Sequence, residues 1–280
     1  MTIDQIKHAA HVAGHTALEA GPKHDTIARA QDVARGRQAG LFLAEGLWLN
    51  RQAMEYRADV QALYICPELL YTEEWSAAVL DMAARVPEVY IISEKTYDRL
   101  SEDKSDCGVL GIVRLPQWRL DDIQPGARST VLVLDGLENP GNVGTLIRSA
   151  DGAGTDAVLL CNRKTGLNNR GIVRASLCTL LLKPVLEVSE GEAQAWLAAL
   201  GYTVYLGKAE ADGRYCDIAY AERAAIVVGH EKYGVGQGWF AQPHVGVSIP
   251  MLGHVDSLNV AVAGSILLYE AQRSRKLFGE

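Results

Sequence analysis

Hydrophobic positions fall into two alternating series separated by a proline- and glycine-bearing gap. In the first series the short apolar runs Leu41-Phe-Leu-Ala, Ala62-Leu-Tyr-Ile, Val89-Tyr-Ile-Ile and Gly108-Val-Leu-Gly-Ile-Val read as strands, with helical stretches over 48–56 and 75–85 between them. The second series repeats the alternation. Val131-Leu-Val-Leu, Ala157-Val-Leu-Leu, Val204-Tyr-Leu, Ala225-Ile-Val-Val and Val245-Gly-Val-Ser-Ile are strand-like, helical stretches occupy about 142–153 and 190–200, and a last helix runs from about 258 to 275. Continuously apolar strands alternating with helices imply a mostly parallel sheet covered on both faces. The expected fold class is therefore α/β, with a doubly wound domain over 130–280 and a smaller α/β domain over 35–115. The gap, carrying Pro116 and the Pro125-Gly126 turn, is the expected linker over 116–129. Residues 1–34 are expected to form a helical extension.

Composition narrows the function classes. The chain has 280 residues, 48% of them hydrophobic, enough to bury cores without disulfide staples. Its first residues mix charged and apolar side chains, unlike a secretory leader. The most apolar stretch, 258–269, is shorter than the roughly 18–20 residues that cross a bilayer. No membrane association is expected, and the cytoplasm is the expected compartment. The 5 cysteines are widely spaced with no CxxC pair, as expected of reduced, core-filling thiols. His8, His11 and His15 would share a helix face, yet no carboxylate or cysteine at matching spacing completes a ligand set. No metal is expected. The net charge of −7 argues against a simple nucleic-acid binder, with one local exception. Residues 157–186 contain no acid but carry Arg163, Lys164, Arg170, Arg174 and Lys183, a strip able to meet phosphates on an otherwise acidic protein.

Three segments carry candidate chemistry. The first runs from Leu134 through Asp-Gly-Leu-Glu-Asn-Pro-Gly-Asn-Val-Gly into a helix, the strand–turn–helix arrangement at which α/β proteins place ligands. Val143, Leu146, Ile147 and Ala150 form the buried stripe of that helix, and Arg148 points about 150° away from it. Either Asn139 or Asn142 could supply the helix cap. The segment is neither GxGxxG nor GxxxxGK[ST], so dinucleotide and P-loop readings lose their fingerprint. The second segment, Ile226-Val-Val-Gly-His-Glu-Lys-Tyr-Gly-Val-Gly, delivers a glycine-rich turn with the carboxylate of Glu231; His230 reads as a loop side chain. In the third, Ser257 stands where an N-cap belongs, and the helix that follows is apolar nearly all round. Such a helix must be covered on most sides, which predicts a homodimer.

In this order and at these spacings the segments resemble motifs 1, 2 and 3 of the SpoU (TrmH-like) branch of the SPOUT RNA methyltransferases. Motif 1 is matched by Asn139-Pro-Gly-Asn-Val-Gly and Ile147-Arg-Ser-Ala-Asp, motif 2 by Gly229-His-Glu-Lys-Tyr-Gly, and motif 3 by Ile249-Pro-Met and Ser257-Leu-Asn-Val. Residues 35–115, with Phe42-Leu-Ala-Glu-Gly, more loosely resemble the ribosomal-protein-like substrate-binding domain of several members. The resemblance implies methylation of a ribose 2′-hydroxyl of RNA by S-adenosyl-L-methionine, in a dimer whose C-terminal chain forms a trefoil knot. It implies a cofactor site at Val228, Gly229, Ile249, Met251 and Leu258, and a catalytic group of Arg148, Asn142, Glu231, Ser257 and Asn259. RNA is expected against Arg148, Arg163, Lys164, Arg170 and Arg174. The long N-terminal domain favours rRNA over the alternatives, a tRNA 2′-O-methyltransferase or a non-catalytic RNA-binding member. One departure stands out: in Arg174-Ala-Ser-Leu-Cys-Thr, Cys178 occupies a position where the family usually has glycine.

Methyl transfer from a sulfonium releases a neutral thioether, so no general acid is needed. The difficulty is the ribose hydroxyl, which must be aligned with the methyl carbon while developing alkoxide charge is stabilised. Proposals for the family give the arginine matching Arg148 the role of base. Its pKa above about 12 makes a neutral guanidine costly, which favours Arg148 as phosphate anchor and alkoxide stabiliser.

Overall fold

The apolar runs pair into two sheets, one in each of the two units into which the chain of the computed structural model divides; residues 1–102 and 107–275 are described. Unit 1 comprises Met1–Pro116 together with Asn168–Leu181. Its strands are β1 (Thr16–Glu19), β2 (Leu41–Glu45), β3 (Val60–Ile65), β4 (Glu88–Ile91) and β5 (Val109–Arg114). They lie in the order β1-β4-β3-β5-β2, with β5 antiparallel to both of its neighbours. Its helices are α1 (Ile3–Val12), α2 (Asp25–Ala34), α3 (Gly46–Glu55), α4 (Glu73–Ala83) and α5 (Glu94–Leu100). Residues 16–19, expected within a helical extension, instead form an edge strand paired in parallel with β4. None of its four residues is fully buried, as suits a strand at the sheet's edge. The Tyr64 hydroxyl is buried in the core and bonded to Thr26, at 2.6 Å to its hydroxyl and 2.9 Å to its carbonyl.

Unit 2 comprises Gln117–Leu167 and Leu182–Glu280. Its first elements are β6 (Ser129–Asp135), α6 (Pro140–Gly152) and β7 (Ala157–Cys161). The next helix, α7 (Arg170–Ser176), belongs to unit 1, although the sequence places it inside the 130–280 domain. The reason is electrostatic: the Arg170 guanidinium reaches Glu45 at 2.9 Å and donates to the Ala34 carbonyl at 3.1 Å. The chain then returns to unit 2 with β8 (Val185–Glu187), α8 (Glu190–Ala199), β9 (Thr203–Gly207), β10 (Gly213–Arg214), β11 (Arg223–Gly229), β12 (Val245–Ser248) and α9 (Val260–Ser274).

The second sheet has the order β10-β12-β9-β11-β6-β7-β8, and every described neighbour pair is parallel. β11 is laid between β6 and β9, strands formed earlier in the chain. Its seven residues are continuously apolar apart from Arg223 at the start and Gly229 at the end, as a strand buried on both faces requires. Parallel pairing brings the C-terminal ends of β6, β9, β11 and β12 to one edge. The loops that follow, including all three motif segments, therefore share that edge.

α9 packs on α6 and on β11. Gly264 is what allows the approach: a Cβ there would lie 2.5 Å from Leu146 Cδ2. The Ser265 hydroxyl adds a 2.7 Å bond to Ser149 across the same helix pair. The other end of α9 is held by Arg275, a buried guanidinium donating to the carbonyls of Ser129, Glu222 and Ala271 and to Gln272 and Thr130. Burial, outweighing the opposing charge of Glu222, holds that guanidinium below its ordinary pKa.

Candidate active site

Asn139, and not Asn142, caps α6. Its side-chain oxygen accepts from the backbone N–H of Gly141 at 2.8 Å and of Asn142 at 3.3 Å, and Pro140 follows at the first helical position. This frees the Asn142 side chain. Its amide nitrogen donates to Glu231 Oε1 at 2.9 Å, and its oxygen accepts from Asn259 Nδ2 at 3.1 Å. Asn259 Oδ1 in turn accepts from the Ala261 N–H at 2.9 Å, so that Asn259, rather than Ser257, is the N-cap of α9. The helix starts two residues later than its apolar pattern suggests. Leu258 consequently stays in the loop before it. One residue from each motif segment thus joins a single hydrogen-bonded chain, Glu231–Asn142–Asn259.

The Glu231 carboxylate also faces the backbone N–H groups of Glu138 and Asn139, each at 3.4 Å. Burial would raise its pKa; the Asn142 amide and the backbone N–H groups outweigh that and hold the carboxyl below the usual range. Glu231 is therefore an anion at neutral pH and a poor proton acceptor. Its placement depends on a tight turn after β11. A Cβ on Gly229 would lie 2.2 Å from the carbonyl carbon of Gly234, so no other residue closes this turn unchanged.

Beside the chain of three lies a cavity of about 480 Å³. Val228, Gly229, Ile249, Met251 and Leu258 line it, together with Glu231, Ser257 and Asn259. Neither Asn142 nor Arg148 is in its wall. Arg148 is exposed on α6 and, among the described residues, makes no ion pair. The wall also contains Lys208 and Asp256, neither of which is among the residues expected from the sequence. Lys208 follows Gly207 at the end of β9, a strand-end glycine like Gly229. The pairing of β9 with β11 that makes it relevant is a long-range contact invisible in the chain order.

The cation strip of 157–186 separates into different roles. Arg163 pairs with Glu187 at 2.8 Å, and Lys183 is buried between the carbonyls of Ala150 and Thr155 with Asp151 at 3.3 Å. Arg170 is sunk against Glu45, and Arg174 lies 3.9 Å from the same carboxylate. Lys164 alone of the strip has no ion-pair partner among the described residues. No cluster of three or more metal-ligating side chains exists among the described residues.

The chain is similar to solved structures of RNA methyltransferases. The AdoMet-bound rRNA methyltransferase of Sinorhizobium meliloti is 26% identical, with a TM-score of 0.78 over 92% of this chain and 98% of that one. The SpoU methyltransferase AviRb of Streptomyces viridochromogenes in complex with AdoMet is also 26% identical, with a TM-score of 0.78 over 89% and 97%. Among curated proteins, the 23S rRNA (guanosine(2553)-2′-O)-methyltransferase RlmP of Bacillus subtilis (strain 168) is 27% identical over 228 residues, 81% of this chain and 87% of that one. The fold is that of an RNA methyltransferase. The profile of the SpoU rRNA Methylase family matches residues 129–269, and the chain belongs to that family.

Proposed function

We propose that the protein methylates a ribose 2′-hydroxyl of rRNA with S-adenosyl-L-methionine, acting as a homodimer in the cytoplasm. The observation that carries the proposal is the Glu231–Asn142–Asn259 chain at the rim of the 480 Å³ cavity. The residues present fit the cofactor. Val228, Ile249, Met251, Leu258 and Leu267 offer an apolar bed for a purine, while Lys208 and Asp256 supply opposite charges for an amino-acid carboxylate and ammonium. The names of the relatives, a 23S rRNA 2′-O-methyltransferase and an AdoMet-bound rRNA methyltransferase, support both substrate and cofactor. The insertion of β11 between β6 and β9, followed by return of α9 onto α6, supports a C-terminal trefoil knot. A ribosomal-protein-like, substrate-binding role is proposed for unit 1.

When bound, the cofactor supplies an electrophilic methyl group on a sulfonium that departs as a neutral thioether. The chain's own residues then have to orient and stabilise the nucleophile. Asn142 and Asn259, aligned by Glu231, are proposed to fix the ribose, with Ser257 facing the same cavity. Arg148 is proposed to hold the adjacent phosphate and to stabilise alkoxide charge as the hydroxyl proton passes to water, and Lys164 and Lys232 to face the RNA backbone. Radiolabelled methyl transfer to bulk rRNA and bulk tRNA, both from cells lacking this protein, tests the proposal. Label in a ribose of rRNA, lost with Arg148→Ala, is expected. Label only in tRNA would overturn the substrate, and absence of both label and cofactor binding would overturn the activity.

A further inference from the structure

His230 follows Gly229 directly and lies against both loops that build the site, yet the mechanism above leaves it unused. Its ring is nearly buried, with 16% of the side chain exposed. Nδ1 accepts from the backbone N–H of Lys232 at 2.9 Å and of Tyr233 at 3.4 Å. Nε2 lies 3.4 Å from Glu138 Oε1. The His230 carbonyl accepts from the Gly234 N–H at 2.8 Å, closing the turn. A nitrogen that accepts from two N–H groups carries no proton, so the neutral ring must hold its proton on Nε2, where Glu138 can accept it. Glu138 is linked back: its backbone N–H faces Glu231, the neighbour of His230. The two loops therefore clasp each other reciprocally through His230 and Glu231.

From this geometry we infer that His230 is a positioning residue for methyl transfer, its Nε2–H tautomer fixing the 230–234 turn so that Glu231 holds Asn142 and, through it, Asn259. The inference rests on the methyltransferase reading for its kinetic consequence but not for its structural one. The titratable side chains in contact with the ring are Glu138, 3.4 Å from Nε2, and Tyr233, whose ring centroid lies 4.7 Å away; neither replaces the acceptor that Nδ1 provides to the turn. An asparagine at this position could replace it, because its side-chain oxygen accepts from the N–H groups two and three residues on, as in an Asx turn.

Two measurements test the inference. The ¹⁵N shifts of the His230 ring in the ligand-free, ¹⁵N-histidine-labelled protein at neutral pH should show an unprotonated Nδ1 and a protonated Nε2. An Nδ1–H tautomer or an imidazolium overturns the inference, and this readout requires no substrate. In the methyl-transfer assay, His230→Ala should lower kcat about 10- to 100-fold, the scale of a small misplacement of a catalytic group, with the RNA KM changed by less than about threefold. His230→Asn should recover kcat to within about threefold of the unaltered protein. Equal kcat for His230→Ala and the unaltered protein overturns the inference. Equal loss in both variants also overturns it, since a turn acceptor alone would then be insufficient. Absence of transfer by the unaltered protein would count against the methyltransferase reading alone, because the tautomer is established independently.

Discussion

At the scale of single residues, the site turns on a carboxylate that stays ionised. Glu231 is held below its ordinary pKa against the opposing effect of burial, chiefly by the Asn142 amide. A carboxyl whose folded value lies below its unfolded one stabilises the fold when ionised. That contribution is complete above the unfolded range, near about pH 4.3, and is lost as pH falls through the lower folded value. Between about pH 6 and 9 its charge does not change. The pH–rate profile of Glu231→Gln should therefore keep the shape of the unaltered profile over that range. Its kcat should fall about tenfold, or ~1.4 kcal/mol, through loss of charge-assisted bonds. A limb present in one profile and absent in the other would contradict an anchoring role. Cys178 shows residue-scale legibility from the other side. It and Leu177 both adopt left-handed backbone, φ +61° and +51°, the conformation that glycine adopts at least cost. The cysteine is fully buried and its thiol is pushed up to about 12 by burial. Cys178→Gly should be nearly neutral in Tm: relief of left-handed strain and loss of buried side-chain surface are each about 1 kcal/mol and opposed.

At the scale of elements, helix starts decide which side chains are free to act. Sequence spacing located α6 and α9 but left open whether Asn139 or Asn142 capped the first, and favoured Ser257 for the second. Caps are short-range competitions among neighbouring polar groups, and the winner depends on what the loser can bond elsewhere. Asn142 has Glu231, which comes from another part of the chain; Asn259 has both the cap and Asn142. Asn259→Ala should cost about 1 kcal/mol of stability from the lost cap and a larger fraction of activity. Asn259→Ser should restore the stability, as read by thermal melting, without restoring kcat. α7 presents a second case. Its cations suggest a phosphate-facing strip, yet Arg170 is an internal partner of the buried Glu45. Arg170→Ala should destabilise unit 1 by about 3 kcal/mol, because it removes the nearest and most buried cation paired with the Glu45 carboxylate. Lys164→Ala, on the exposed loop, should leave Tm within about 1 °C.

At the scale of the whole molecule, each unit has its own sheet and core. Residues 168–181 nevertheless belong to unit 1, so a cut at the linker would not separate two self-sufficient pieces. In unit 2, α9 buries Ala261, Gly264, Leu267, Leu268 and Ala271 against its own sheet and α6, and leaves Val262 and Tyr269 about half exposed, at 48% and 45%. A face of that kind on the terminal helix is the basis for the proposed dimer. The protein should sediment at about twice its 30.4 kDa chain mass, and Val262→Glu with Tyr269→Glu should shift it to the monomer. A monomeric unaltered protein would overturn the proposed assembly.

Strand-length apolar runs, helical spacings and glycine-rich turns are local properties, carried by residues a few positions apart. They sufficed to mark the alternating α/β pattern, the parallel sheet and the three segments from which Asn142, Glu231 and Asn259 come. Other features were set by contacts between residues tens of positions apart. These are the insertion of β11 between β6 and β9, the edge placement of β1, the membership of α7 in unit 1, the arrival of Lys208 at the cavity and the burial of Arg170. Each depends on which strands pair and which charges meet. Strand order and ion pairing follow from the free energy of the packed whole, so the same local pattern is compatible with several arrangements until the tertiary fold selects one.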